Sequence, residues 1–297
     1  MKEFTAACVQ IGITPNDPHA NIKKCLLWLE KAVQEYQADL IVFPETVTTG
    51  FDTGLTPEEL WDLIDEVPGK HTEEIQAAAK KYGVHLVWPT YRRAGERGRI
   101  FNSAVLIGPD GRVIGIYDKT HPFPGERREY GGWTERGTSA EVYETELGTI
   151  GMIICYDGDF PELSRLLAVK GAEVIVRPSA LLRSYDIWYI TNCARAYDNH
   201  VYMVSTNMLG PDAGGNFYFG HSMIVNPIAW RLAQARGTEE IIAAKLDPDP
   251  LRYITWGSKS PQPFDHLEDR NLAIYEEILK EARSKFEPGK RYQKKDS

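Results

Sequence analysis

The sequence predicts an α/β layered domain with two packed, mixed β-sheets, and three observations predict it. Short apolar runs bounded by Pro, Gly or Asp recur along the chain, as strands buried on both faces do. Segments with helical apolar spacing fall between them, the alternation that stacks helices on a sheet. Roughly a dozen strand candidates result, more than one open sheet holds comfortably, and two sheets packed together accommodate them. The 297 residues supply a large core, and no linker, low-complexity segment or shift in composition divides the chain.

The elements follow in order. FTAACVQIG (residues 4–12) is a mostly apolar strand, and residues 21–37 carry helical spacing through Ile22, Cys25, Leu26, Leu29, Ala32 and Val33. ADLIVFPE (38–45) is a continuous apolar run stopped by proline. Residues 72–82 are a helix and VHLVWPTYRR (84–93) a strand. FNSAVLIGPDGRVIGIYDK (101–119) is two strands joined at Pro109-Asp110-Gly111, a hairpin signal. After a long loop, AEVYET (140–145) and GTIGMIICYD (148–157) are strands, residues 160–170 a helix and GAEVIVRPSA (171–180) a strand. Residues 186–199 are helical. VYMVSTNM (201–208), FYFGHSMIVNP (217–227) and EEIIAAKLD (239–247) close the strand series, with GPDAGG (210–215) as a flexible loop. LAIYEEILKEARSKF (272–286) has the spacing of a last helix, followed by the basic tail PGKRYQKKDS. Residues 1–270 therefore read as one domain, and 271–297 as a helix and tail available for contact with another copy.

Composition narrows the function classes. A net charge of -8 and a pI near 5.5 argue against nucleic acid or an anionic membrane as partner. No stretch approaches the roughly 20 apolar residues of a membrane helix, and MKEFTAACVQIG lacks the long apolar region of a signal peptide. The four cysteines form no CxxC pair, which fits a reducing cytoplasm rather than a disulfide or zinc framework. Seven scattered histidines, without HExxH or a close pair, lead us to expect no metal cofactor.

One stretch breaks the pattern. In GMIICYDGDFPE (151–162) an apolar run reaches Cys155 and a polar, glycine-containing turn takes over. Cys155 has two readings, a small hydrophobe capping a core strand or a nucleophile presented at the strand's end. Catalytic groups of α/β sheets gather at the carboxyl ends of strands. Phe160-Pro161-Glu162 has the composition of a helix start, whose positive end would favour a nearby thiolate. A thiol nucleophile needs a base, and neither His121 nor His221 is an evident partner. Glu45 ends LIVFPE, although a Glu after Pro is ordinarily a solvent-facing residue. Lys119 ends RVIGIYDK. Three strand ends thus carry a carboxylate, an ammonium and a thiol, the set needed for base, oxyanion stabiliser and nucleophile.

In that order, FPE at 43–45, DK at 118–119 and ICYDGDFPE at 154–162 resemble the nitrilase superfamily of carbon–nitrogen hydrolases. AACVQIG, FNSAVLIGPDG and FGHSMIVNP support the resemblance, which spans about residues 4 to 247. It implies a four-layer αββα sandwich and a Glu-Lys-Cys triad without metal or organic cofactor. Carried over by position, Glu45 is the general base, Lys119 helps hold the oxyanion, Cys155 is the nucleophile and the Tyr156 N–H is a second oxyanion donor. The family's second glutamate falls on Glu126, with Glu129 a nearby competitor.

The implied reaction is hydrolysis of a small, non-peptide amide through a Cys thioester, releasing ammonia or an amine. Tyr156-Asp157 stands where nitrilases typically carry Trp-Glu, which favours the amidase-type branch. N-carbamoyl amine or amino-acid hydrolysis, then nitrile hydrolysis, are the alternatives. Arg177 ends VIVR and is a candidate binder of a substrate carboxylate, with a structural ion pair as the competing reading. Trp188, Tyr189, Phe217 and Tyr218 line the pocket or pack the core. Outside hydrolysis stand an acyltransferase, separable by product ratio with hydroxylamine, and a silent scaffold subunit, against which the intact triad counts. The family pairs sandwiches into dimers and larger homo-oligomers, so a homodimer or larger assembly is expected.

Overall fold

Strand β1 (Phe4–Gln10) buries both its faces, with Ala6 and Cys8 in one apolar cluster and Ala7 and Val9 in another. A strand with two apolar faces must lie between two layers, because successive side chains point to opposite sides. The computed structural model describes residues 1–255 and 261–293 and shows those layers. Around β1 lie β2 (Leu40–Val42), β3 (His85–Arg93), β4 (Ile100–Ile107), β5 (Val113–Asp118) and, at the far edge, β14 (Glu240–Leu246). They form a six-stranded sheet in the order β14-β1-β2-β3-β4-β5. β1, β2 and β3 run parallel and the flanking pairs antiparallel.

The second six-stranded sheet repeats that pattern. It contains β6 (Val142–Thr145), β7 (Gly148–Met152), β8 (Val174–Ser179), β9 (Tyr202–Asn207), β12 (Met223–Val225) and β13 (Arg231–Gln234), in the order β13-β12-β9-β8-β7-β6. Its centre, β7-β8-β9, is parallel and its flanks antiparallel. The two sheets pack face to face. One cluster unites Ala6, Val42 and Val87 of the first with Met152, Val176 and Val204 of the second, and the Thr206 hydroxyl of β9 donates to the Val42 carbonyl of β2 at 3.2 Å. Helices α1 (Pro18–Tyr36) and α3 (Lys70–Tyr82) cover the outer face of the first sheet. Helices α4 (Pro161–Val169) and α5 (Tyr185–Asn199) cover the second. This is the αββα sandwich.

The structure departs from the sequence expectation in instructive places. FYFGHSMIVNP is not one strand. It breaks at Gly220 and His221, with φ of 74° and 57°, into β11 (Phe217–Phe219) and β12. β11 pairs with β10 (Leu209–Pro211) as a separate ribbon. Helix α2 (Pro57–Leu63) goes unread because it is short, although its capping box, Thr56 with Glu59, is present. Residues 272–286 form no α-helix but two 3₁₀ turns, Leu272–Ile274 and Glu276–Leu279. Leu272, Ile274, Ile278 and Leu279 are exposed there, and an amphipathic segment whose apolar face packs on nothing lacks the tertiary contacts that sustain most helices.

Candidate active site

Three charged side chains that would ordinarily seek water lie buried together. Glu45, Lys119 and Glu126 carry side chains that are 0% exposed. Each is delivered by the end of a strand or the loop after it. Glu45 sits three residues past β2, and Lys119 directly follows β5 and is fixed by its N–H donating to the Asn102 carbonyl at 2.8 Å. The Lys119 ammonium donates to Glu45 Oε1 at 2.7 Å and pairs with Glu126 Oε1 at 2.6 Å. Burial works against the lysine's charge, but the two carboxylates outweigh it and raise its pKa above the ordinary range. Burial and the Glu45 charge push the Glu126 carboxyl up, and Lys119 pulls it down.

Glu45 has further donors. Asn102 Nδ2 of β4 reaches Oε1 at 2.8 Å and the Ala180 N–H reaches Oε2 at 2.7 Å. The second contact crosses from one sheet to the other. Glu126 is held by the Phe123 N–H at 2.7 Å. Glu129 instead pairs with Arg136 in the outer loop, so the carboxylate beside Lys119 is Glu126.

Cys155 begins a 3₁₀ turn, Cys155–Asp159, three residues past β7. Its φ of 46° lies in the left-handed region, which costs a non-glycine residue about 1–2 kcal/mol and persists only where the surroundings over-determine it. They do so here. Buried Asp157 accepts from the Ile154 N–H at 2.8 Å, the Tyr117 hydroxyl at 2.8 Å and the His121 N–H at 2.9 Å. Arg177 donates from Nε and Nη2 to the Cys155 carbonyl.

That contact corrects the expectation for Arg177. The side chain is 0% exposed and outside the cavity, and its remaining Nη1 donates to Thr191 Oγ1 and Asn192 Oδ1. Burial lowers its pKa to about 10. A guanidinium already divided among the Cys155 carbonyl, Thr191 and Asn192 holds the turn and has nothing left to offer a substrate carboxylate. The thiolate expectation also changes. Helix α4 begins only at Pro161, and burial, followed by the Glu45 charge, pushes the Cys155 thiol up to about 12 while Lys119 and Arg177 oppose. The resting thiol is protonated.

Cys155, Lys119 and Glu126 line one cavity of about 380 Å³. Its walls are Phe51, Phe123, Trp133, Tyr156 and Leu181, with Tyr292 of the C-terminal tail at the edge. Trp188 is fully buried beneath Arg177 and Phe217 is 67% exposed, so neither belongs to the wall. Tyr156 is the second residue of the 3₁₀ turn, where a backbone N–H lacks an acceptor within the helix. Asn102, Ala180, Phe51 and Trp133 escape a reading of the sequence. FNS carries Asn102 within a quoted motif, but nothing local says that its amide turns to Glu45. Among the described residues, no group of three or more His, Cys, Asp or Glu is placed to hold a metal.

Known proteins resemble this chain in sequence and in fold. A family model for carbon-nitrogen hydrolases matches residues 5–254. A probable nitrilase of Schizosaccharomyces pombe is 30% identical over 283 residues, covering 92% of this chain and 97% of its own. An omega-amidase of Xenopus tropicalis is 29% identical over 261 residues, covering 86% and 92%. The crystal structure of a carbon-nitrogen hydrolase from Helicobacter pylori superposes with a TM-score of 0.80 at 24% identity, covering 94% of this chain and 99% of that one, and shares its fold.

Proposed function

The chain belongs to the carbon–nitrogen hydrolase family and is a cysteine-dependent amidase acting on a small amide, and we propose that Glu45, Lys119 and Cys155 carry the reaction with Glu126 in support. The observation that carries this reading is the Lys119 ammonium clamped between Glu45 at 2.7 Å and Glu126 at 2.6 Å in the wall that also presents Cys155.

Each step follows from that arrangement. Because the thiol rests protonated, Glu45 removes its proton as sulfur attacks the amide carbonyl carbon. The carbon–sulfur bond forms, and the carbonyl π pair moves to oxygen. The Lys119 ammonium and the Tyr156 N–H hold that oxyanion as preorganised donors. Collapse breaks the carbon–nitrogen bond, and the nitrogen leaves as ammonia or an amine with the proton from Glu45. Water then gives its proton to Glu45 and attacks the thioester. The carbon–sulfur bond breaks, and Glu45 returns the proton to sulfur. Glu126 keeps Lys119 charged and orients the water.

Replacing Cys155 by Ala abolishes ammonia release in this scheme while the thermal transition stays cooperative. Glu45→Gln slows both halves, and mass spectrometry of that variant with amide shows the acyl mass on Cys155. Near wild-type turnover by Cys155→Ala would end the assignment.

Residues 1–270 constitute the hydrolase domain in this reading, and 271–297 a contact segment between copies, supported by exposed Leu272, Ile274, Ile278 and Leu279. Gel filtration of the full chain against one ending at residue 270 tests the homo-oligomer. A cytoplasmic location is supported by four cysteines that are all free thiols. Among the described residues, no helix is long and apolar enough to cross a membrane.

A further inference from the structure

The catalytic cavity carries two charged side chains that the reaction does not use, Asp52 and Arg183. They are not equivalent. Arg183 is already neutralised, since Nη1 and Nη2 donate to the two oxygens of Asp159 at 2.6 and 3.0 Å, and its guanidinium lies over the Tyr156 ring. Asp52 has no cationic partner among the described residues. Its carboxylate is nonetheless a fixed object. The Asp52 N–H donates to Asp212 Oδ2 at 3.0 Å, its carbonyl accepts from the Gly214 N–H at 3.0 Å, and its Oδ1 accepts from the Gly54 N–H at 3.1 Å. A Cβ on Gly214 would fall 2.3 Å from Asp52 Oδ2, so glycine there is what lets the 210–215 loop close against this carboxylate.

We infer that Asp52 determines specificity by receiving a cationic group at the far end of the substrate, so that the preferred substrate is a carboxamide whose chain ends in a primary ammonium. The inference rests on the amidase reading of the same cavity. Two further features agree. The cavity that Asp52 and the thiol share is lined with aromatic rings, Phe51, Trp133, Phe123 and Tyr156, and aromatic faces attract cations. The pairing of charges around the site also leaves one carboxylate over. Lys119 faces Glu45 and Glu126, Asp159 pairs with both Arg183 and buried Arg177, and among the described residues Asp52 pairs with no cation. An anionic tail would meet repulsion at Asp52 and a guanidinium that is already occupied.

The experiment uses the full-length protein and three primary amides of matched length, ending in ammonium, methyl and carboxylate, each in a series of increasing chain length. Ammonia release yields kcat/KM. The wild-type protein prefers the ammonium amide over the methyl one by about tenfold or more at one length, largely through KM. Asp52→Asn brings that ratio close to unity, and Asp52→Glu, which keeps the charge, restores part of it. Preference for the carboxylate or methyl amide by the wild type overturns the inference, with the amidase reading left standing. An ammonium preference that survives Asp52→Asn overturns the role of Asp52. Failure of the wild type on all three classes overturns the amidase reading and this inference together. Should Asp52→Asn not fold, the wild-type ratio and Asp52→Glu decide.

Discussion

The carbonyl oxygen of Cys155 accepts two N–H groups from one side chain, Arg177 Nε at 2.9 Å and Nη2 at 2.7 Å. A buried guanidinium therefore grips the backbone of the residue whose thiol faces the cavity. The grip explains how Cys155 keeps a left-handed φ of 46°. It also places a positive charge behind a sulfur that must gain electron density.

Arg177→Lys retains the charge and loses the fork. Denaturant unfolding is expected to show a loss of about 2–3 kcal/mol, because a buried carbonyl is left without its donors. The value of kcat should fall more than tenfold with KM little changed, since the wall residues stay in place. A variant with wild-type kcat would show that the grip does not position the thiol.

Gly158 lies against the same guanidinium. A Cβ there would fall 2.1 Å from Arg177 Cζ, and both groups are buried. Gly158→Ala therefore shifts the arginine or the turn, at a cost of about 1–3 kcal/mol. Thermal unfolding and kcat should drop together, and an unaltered pair of values would contradict the packing.

The Cys155 thiol titrates late. Its pKa is pushed up to about 12 by burial first and the Glu45 charge second. Thiolate absorbance, taken as wild type minus Cys155→Ala, should show no step near 9.0, where the unperturbed thiol titrates. The sign for stability follows. The unfolded thiol releases its proton near 9.0 while the folded one keeps it to about 12, so this contribution is present below 9.0 and is lost as pH rises toward 12. Urea midpoints across the alkaline range should fall less steeply for Cys155→Ala than for wild type.

Asn102 donates to Glu45 Oε1 at 2.8 Å and approaches Glu126 Oε2 at 3.4 Å. Asn102→Asp replaces that donor by a third buried carboxyl. The new group has its pKa raised in the folded state, so its penalty is absent at acid pH and grows as pH rises above the unfolded value of about 3.9. The deficit in melting temperature against wild type should widen from acid to neutral pH. A deficit independent of pH would mean that the lost hydrogen bond, not charge, is responsible.

Much of the site was legible because each of its three principal groups ends a local apolar run. LIVFPE, RVIGIYDK and GMIIC each deliver one polar side chain to a strand end, and local hydrophobic pattern is enough to say so. Arg177 ends a similar run, VIVR, and the same logic misplaced it. A strand end says where a side chain starts but not which side of the turn it takes. The last helix failed for a related reason, since periodicity marks a face and does not supply the surface to cover it.

Sequence by itself determined the alternation of strands and helices, the family resemblance and the positions of Glu45, Lys119 and Cys155, because these rest on neighbours within a few residues. Only the tertiary structure decided that Glu126 rather than Glu129 meets Lys119, that the Ala180 N–H crosses between sheets to Glu45, that Arg177 serves the Cys155 backbone and that Asp52 stands in the cavity with no cationic partner among the described residues. Most of those relations join residues well separated in the chain, Ala180 and Glu45 by 135 positions. They depend on the register of two sheets packed face to face and on how burial leaves each polar group to find a partner, and no local pattern encodes either.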